Sequence, residues 1–299
     1  MKLCTTTGDF SEHCNSDIEK LKEIRKAGFQ YVDFSMYGNE AASYMHEGWK
    51  EDIKRLKDTA EELGLQFVQA HSPAFETLET LDSNENWEEK LQQTIRSIEI
   101  CKELGIPMTV VHAGVKRNTP KEETLKLNKE FYNLLLPTME KTGVMVLAEN
   151  VGIPDNNGRY YLNSGERLRE FVEYYDHPLL QACWDIGHGN VFGNQYENIT
   201  ALGEHLYAIH YNDNDKKSDL HCHPFLSELD NDDAMQGLLA VNFKGPFTFE
   251  CTGTIKYKLK KFDQAKGLEN ASLDVLRAYE QALYQTGKYL LSTYGVFEE

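Results

Sequence analysis

One junction recurs along this chain and constrains its fold more than any other feature: an amphipathic stretch, a glycine, and at once an apolar run. It reads Lys26-Ala27-Gly28-Phe29, Glu62-Leu63-Gly64-Leu65, Glu103-Leu104-Gly105-Ile106 and Lys141-Thr142-Gly143-Val144. A glycine just past a helix end can take the left-handed backbone that terminates the helix. Each junction therefore predicts a helix passing directly into a strand. Successive glycines stand 36, 41 and 38 residues apart, close to the length of one strand-plus-helix unit. The repetition is architectural; the sequence itself does not repeat.

The local signals agree with that reading. Ser16 is placed to cap the first helix, with Glu19 as its capping-box partner and Ile18, Leu21 and Ile24 as the inward face. Ile53, Leu56, Ala60 and Leu63 repeat the scheme in the second helix, and Leu91, Ile95, Ile98 and Leu104 in the third. Strands are expected at 2–6, 29–34, 65–70, 107–112, 144–149, 180–185, 205–210 and 246–251. Several are nearly continuous apolar runs, as parallel strands covered on both faces tend to be. Eight strands alternating with helices or loops make this an α/β chain, read as a (β/α)8 barrel of the TIM type. Such barrels run to about 250 residues, so the whole chain, 1–299, is expected to form a single domain. A doubly wound open sheet is the alternative, but no GxGxxG follows any strand. The longest irregular stretches, Gly152 to Ser164 and Tyr211 to Leu229, follow strands five and seven and belong to the face of a barrel that carries its chemistry.

The net charge of −17 works against nucleic acid, whose phosphates are held by Lys and Arg. A cation or a neutral polar ligand is the easier partner. The six cysteines show no CxxC pair or framework spacing, which suits reduced thiols. The first residues run into a strand-like segment, Lys2 to Thr6, without the apolar stretch of a signal peptide. No run approaches the roughly 20 apolar residues of a membrane span. The expectation is a soluble, cytoplasmic protein with no membrane partner.

The residues closing the strands carry the chemistry. Strand three ends at His71, four at His112, five at Glu149, six at Asp185, seven at His210 and, in strand eight, Glu250 stands near the end. Barrel closure would gather all six about one axis. A lone strand-end His or Glu is ordinarily a satisfied hydrogen-bonder or a helix cap. Six together at the edge of apolar runs such as Met145-Val146-Leu147-Ala148 call for shared compensation, and a metal ion supplies it. Oxygen and nitrogen ligands without thiolate suit Mn²⁺, Mg²⁺, Co²⁺ or Zn²⁺. His188, Asp219 and His221 form a second tier that could line a pocket or bind another ion. His13, His46, His177, His205 and His223 carry no spacing argument and are read as structural or surface groups.

These segments carry a resemblance. Val111-His112-Ala113-Gly114, Ala148-Glu149-Asn150, Trp184-Asp185-Ile186-Gly187-His188, His210-Tyr211-Asn212-Asp213, Asp219-Leu220-His221 and Gly245-Pro246-Phe247-Thr248-Phe249-Glu250 resemble the xylose isomerase-like TIM barrel superfamily across nearly the whole chain. One branch contains sugar isomerases and epimerases, and its pattern implies one divalent metal on Glu149, Asp185, His210 and Glu250. The other is endonuclease IV, an abasic-site nuclease whose three-zinc pattern also implies additional zinc at His71, His112, His188, Asp219 and His221. Three departures oppose the nuclease. The charge is strongly acidic, the loop Ser35-Met36-Tyr37-Gly38-Asn39-Glu40-Ala41 lacks that branch's Arg- and Gln-containing DNA-penetrating segment, and Cys222-His223-Pro224-Phe225 replaces its Gly-rich continuation.

The favoured implication is a sugar or sugar phosphate isomerase or epimerase of carbohydrate metabolism. Glu149 and Glu250 would be its catalytic pair, one removing and the other returning a proton through an enediolate. His71, His112, His188 and His221 would bind substrate. Phe10, Phe34 and Trp184 are candidates to pack against a sugar, although core packing suits each. A lyase resembling inosose dehydratase would use the same parts, and a non-catalytic metal-dependent sugar-binding module would use only the ligands. Lys216, Lys217 and Arg159 are the loop cations a phosphate could meet. Relatives in the superfamily form dimers and tetramers, so a homo-oligomer is an expectation by analogy.

Overall fold

In the computed structural model, eight parallel strands close into a barrel in sequence order, β8 returning to pair with β1. The structure describes residues 1–37, 40–73, 87–114, 118–152, 160–251, 253 and 271–299. Arg159 and the middle of the loop after strand two lie outside them. The strands are β1 (Leu3–Thr6), β2 (Tyr31–Ser35), β3 (Gln66–His71), β4 (Met108–Val110), β5 (Met145–Glu149), β6 (Leu180–Asp185), β7 (Leu206–Tyr211) and β8 (Phe247–Phe249). The described helices are α1 (Asp17–Ala27), α2 (Trp49–Glu62), α3 (Trp87–Leu104), α4 (Lys121–Thr142), α5 (Gly165–Tyr175), α6 (Ile186–Asn190), α7 (Gln195–Leu202), α8 (Asn231–Ala240) and α9 (Leu273–Thr293).

The four junction glycines behave as the sequence requires. Gly28, Gly64, Gly105 and Gly143 all have positive φ, 113°, 65°, 77° and 73°, a region costly to residues with a Cβ. Ser16 accepts from the Glu19 N–H, but Glu19 reaches back to the N–H of Asn15 rather than that of Ser16. The Ser16 half of the capping box forms as expected, and the reciprocal bond falls one residue earlier. Leu21, Ile24, Ile53, Leu56, Ala60, Leu91, Ile98 and Leu104 are buried as expected, while Ile18, Leu63 and Ile95 pack against the core from its edge.

Two strands end earlier than the sequence suggests. β4 stops at Val110 and β8 at Phe249, so His112 and Glu250 stand just beyond the sheet. Val111 still donates to Leu147 O, but the chain then leaves the barrel and is braced from α4. Asn128 pairs with both the N–H and C=O of Gly114, and the Tyr132 hydroxyl donates to Val111 O.

Strand alternation sorts side chains into two environments. Val32, Phe34, Val146, Ala148, Trp184, Ile209, Phe247 and Phe249 belong to the main core. Val110, Leu147, Cys183 and Ala208 form a separate small cluster. They share strand faces with His112, Glu149, Asp185 and His210, so this cluster lies inside the barrel beneath those four. The same face of β2, β3 and β8 carries Asp33, Gln69 and Thr248, all buried. The barrel interior is thus apolar on one side and polar on the other.

All six cysteines are free and buried. No described helix is long and apolar enough to cross a membrane. Phe10, Phe34 and Trp184 are fully buried, which assigns them to packing and removes them as sugar contacts.

Candidate metal centre

Glu149, at the end of β5, organises the mouth of the barrel. Its Oε1 lies 2.6 Å from His210 Nδ1, and its Oε2 lies 2.7 Å from His112 Nε2 and 3.6 Å from His71 Nε2. Glu250 Oε2 lies 3.5 Å from His210 Nδ1, and Asp185 Oδ2 lies 4.0 Å from it. Glu149, Asp185, His210 and Glu250 each offer a ligand atom, all within 4.8 Å of one another. His71, His112 and Glu149 form a second such group, and His188, Asp219 and His221 a third. His13, His46, His177, His205 and His223 join no such group among the described residues.

Backbone and side-chain contacts hold each ligand in place. Asn150 accepts from the Asp185 N–H at 2.6 Å and donates to Asp185 O at 2.9 Å, tying β5 to β6 where both end. Asp185 Oδ1 caps α6 by accepting from the His188 N–H, and its Oδ2 accepts from Asn212 Nδ2. Gly187 leaves room for this network, because a Cβ there would stand 1.7 Å from Asn212 Oδ1 and force that side chain to move. The loop after β7 folds back on itself. Asp213 and Cys222 exchange both backbone hydrogen bonds, and the Asp213 carboxylate accepts from the N–H groups of Ser227 and Leu229. That turn presents Asp219 and His221 over the mouth, with His221 at a positive φ of 46°. Lys216 and Lys217 lie in the same loop, their backbone N–H groups bonded to Asn214 and Asp215.

Three histidines have their tautomers set by backbone carbonyls. His71 Nδ1 faces Ser72 O at 2.8 Å, His188 Nδ1 faces Asn150 O at 2.8 Å, and His221 Nδ1 faces Glu250 O at 3.0 Å. A carbonyl can only accept, so each Nδ1 keeps a proton. The neutral ring then turns the Nε2 lone pair into the site, as metal-binding histidines do. Asp219 Oδ2 waits 3.2 Å from His188 Nε2 and 3.1 Å from His221 Nε2.

The electrostatics show what this cluster lacks. Burial opposes the charge on Glu149, yet His210, His112 and His71 hold its carboxyl well below the usual range. Burial raises Asp185, and the neighbouring Glu149 and Asp219 add to it. Burial resists charging of His188 and His221, but Asp219 together with Asp185 or Glu250 pulls both well upward. Burial likewise opposes charge on His210, which Glu250 and Glu149 raise to about 10. His112 goes the other way, lowered by burial. The carboxylates therefore demand positive charge, and among the described residues it is protonated imidazoles that answer them.

A divalent cation fits this demand. The four-residue group is three carboxylates and one imidazole nitrogen, a donor set suited to Mn²⁺, Mg²⁺, Co²⁺ or Zn²⁺. Glu149 Oε2 is buried without an aligned hydrogen bond. Cys183 lies within reach of Glu149 and His210, but burial and the adjacent Glu149 push its thiol well up, so it offers no thiolate.

Every His, Asp and Glu singled out in the sequence as a ligand or substrate contact thus enters one of the three groups, while Lys216 and Lys217 enter none. The sequence reading missed the residues behind them. Gln69 lies against His210 Nε2 at 2.8 Å, Asn212 holds Asp185, and Asp33 is buried in the polar half of the barrel. Their signal was present: Asp33 and Gln69 are polar residues in the middle of strands, flanked by apolar ones. Tyr37, half exposed at the start of the loop after β2, makes T-shaped ring contacts with His71 and His112 at 5.2 and 6.0 Å.

Comparison with known proteins agrees with this architecture. The family described as xylose isomerase-like TIM barrel matches residues 21–279. Over 140 residues the chain is 29% identical to a probable endonuclease 4 of Thermotoga maritima, covering 42% of this chain and 47% of that protein. Over 191 residues it is 25% identical to a putative hydroxypyruvate isomerase of Danio rerio, covering 60% and 65%. The chain thus spans about half the length of the first relative and just under two thirds of the second. The structure of D-psicose 3-epimerase from Clostridium cellulolyticum H10 superposes with a TM-score of 0.75 at 15% identity, covering 97% of this chain and 99% of that one.

Proposed function

The chain belongs to the xylose isomerase-like TIM barrel family, and from that premise we propose that it is a metal-dependent isomerase or epimerase of a sugar or sugar phosphate. One observation carries the reading. Glu149 and Glu250 reach the same four-residue group from β5 and from beyond β8, three strands apart around the barrel. Two carboxylates so placed can flank a small substrate from different sides. One takes a proton from the carbon beside the carbonyl and the other delivers one. Delivery to the opposite face of the same carbon gives epimerisation; delivery to the neighbouring carbon gives isomerisation.

Glu149, Asp185, His210 and Glu250 would hold the cation, which when bound supplies electrostatic stabilisation of negative charge on the substrate oxygens. His188 and His221, with Nδ1 committed to backbone carbonyls, present Nε2 to a hydroxyl. His71, with Nδ1 likewise against Ser72 O, and His112 turn Nε2 toward the site from the other side, and the Tyr37 ring beside them offers an apolar face to C–H groups. The net charge of −17 favours such a ligand over a polyanion.

A second reading is an abasic-site nuclease with three zinc ions. It is favoured by the two further groups, His71–His112–Glu149 and His188–Asp219–His221, and by the likeness to the Thermotoga protein. Metal content per chain, measured on protein purified without added metal or a metal-binding tag, separates the two. A value near one, with exchange of substrate hydrogen for solvent deuterium across a ketose and aldose panel, is expected. Near three zinc ions with cleavage of abasic DNA would replace the first reading by the second. A dehydrated product would indicate a lyase, and sugar binding without turnover a binding module.

A further inference from the structure

We propose that Gln69 is a positioning residue for the cation site, acting with Thr248 to keep the proton of His210 on Nε2 so that Nδ1 is free to bind. The inference rests on the proposed cation at Glu149, Asp185, His210 and Glu250. It begins from a difference among the histidines. His71, His188 and His221 have Nδ1 against a backbone carbonyl and Nε2 facing the site. His210 is reversed: Nδ1 faces Glu149, Glu250 and Asp185, and Nε2 points down into the barrel.

There its partner is no carbonyl of the main chain. It is the side-chain amide of Gln69, which crosses the barrel interior from β3 to reach β7. Gln69 is fully buried, as are His210 and Thr248. The amide nitrogen stands 2.8 Å from His210 Nε2, and Oε1 accepts from the Thr248 hydroxyl at 3.3 Å. An amide N–H against Nε2 requires a lone pair there, which sends the proton of a neutral ring to Nδ1, toward Glu149. That tautomer has no lone pair for a cation.

Turning the amide over removes the conflict. Oε1 then accepts from His210 Nε2–H, and the Gln69 N–H donates to Thr248 Oγ1. A hydroxyl can donate or accept, so Thr248 can pair with the Gln69 amide in either orientation. A leucine would fill the space but offer Nε2–H nothing. The cost of leaving that donor unpaired falls on the cation-bound state. Residues that orient a ligating histidine in this way typically change metal affinity by about 10–100-fold when lost.

The test uses the full chain with Zn²⁺ as probe. Calorimetry identifies binding at this site as the event that Asp185→Asn abolishes, since Asp185 belongs only to the four-residue group among the three described. In ¹⁵N-histidine-labelled protein loaded with zinc, His210 is expected to carry its proton on Nε2. Gln69→Leu is expected to weaken zinc at this site about 10–100-fold and to shift that Nε2–H resonance. Gln69→Glu, which keeps an acceptor, is expected to retain both affinity and resonance. Equal loss in both variants, unchanged affinity in Gln69→Leu, or zinc bound with the His210 proton on Nδ1 overturns the inference while leaving the cation site intact. Absence of any zinc event sensitive to Asp185→Asn removes the cation site itself, and this inference with it.

Discussion

His210 Nδ1 and Glu149 Oε1 lie 2.6 Å apart at the mouth of the barrel, joining β7 to β5 across the strand between them. The contact makes Glu149 part of two ligand groups at once, since its other oxygen faces His112 and His71. Glu149→Gln keeps the shape and removes the charge. Turnover is expected to fall by about 10²–10⁴-fold, the usual contribution of a positioned acid or base, together with loss of bound metal. Glu250→Gln, at the less enclosed side of the site, is expected to lose turnover by a similar factor. If the two residues serve opposite proton transfers, one variant should retain exchange of substrate hydrogen with solvent. Full activity in either variant would remove that glutamate from the chemistry.

His188 offers a different readout. Its Nδ1 is committed to Asn150 O and its Nε2 faces Asp219. As a hydroxyl-orienting group it stabilises bound substrate more than the reacting atoms. His188→Gln is expected to raise KM about 10-fold, corresponding to roughly 1.5 kcal/mol for a lost hydrogen bond, with a smaller change in kcat. Steady-state kinetics on the substrate from the sugar panel decides it, and a loss confined to kcat would contradict the assignment.

Gly187→Ala tests the close approach of backbone to Asn212. A Cβ would stand 1.7 Å from Asn212 Oδ1, so Asn212 must move and its hydrogen bond to Asp185 Oδ2 is lost. The expected cost is roughly 1–3 kcal/mol of stability, with weaker metal binding because Asp185 is released. Denaturant unfolding and calorimetry measure the two, and an unperturbed protein would mean that the loop yields without consequence.

Glu280 provides a pH test remote from the ligands. It is buried on α9 and accepts from Thr5 Oγ1 at 3.1 Å. Burial is the main cause that pushes its carboxyl up from 4.5 to about 7, against the opposing effects of Asp9 and Thr5. The folded state thus holds this proton more tightly than the unfolded chain. Its contribution to stability is complete below about 4.5 and is lost as pH rises through about 7. Glu280→Gln, permanently neutral, is expected to match the wild type near pH 4.5 and to exceed it by roughly 1–3 kcal/mol at pH 8. Urea unfolding at both pH values measures the difference; a gap that does not widen with pH would show that the carboxyl is solvated.

Much of this could be read from the chain alone, for a physical reason. The glycine junctions, the strand runs and the inward faces of α1 to α3 depend on neighbours in sequence, and eight of them in order leave few ways to close a sheet. Glu149, Asp185 and His210 were legible because strand alternation lets a strand-ending polar residue be read without knowing what lies across from it. The bounds of β4 were not, because Val111 to Gly114 are held by Asn128 and Tyr132 of α4, a contact no local pattern reports.

The barrel, the order of its strands and the residue types at its mouth were legible in the chain, because these follow from period, turn chemistry and chain length. How those residues meet was not legible there. Whether Glu149 bridges two groups, which imidazole nitrogen faces the site, and that Gln69 reaches His210 from the far side of the barrel all depend on distances across the closed sheet. Those distances are set by closure and packing of all eight strands together, and no single segment carries them.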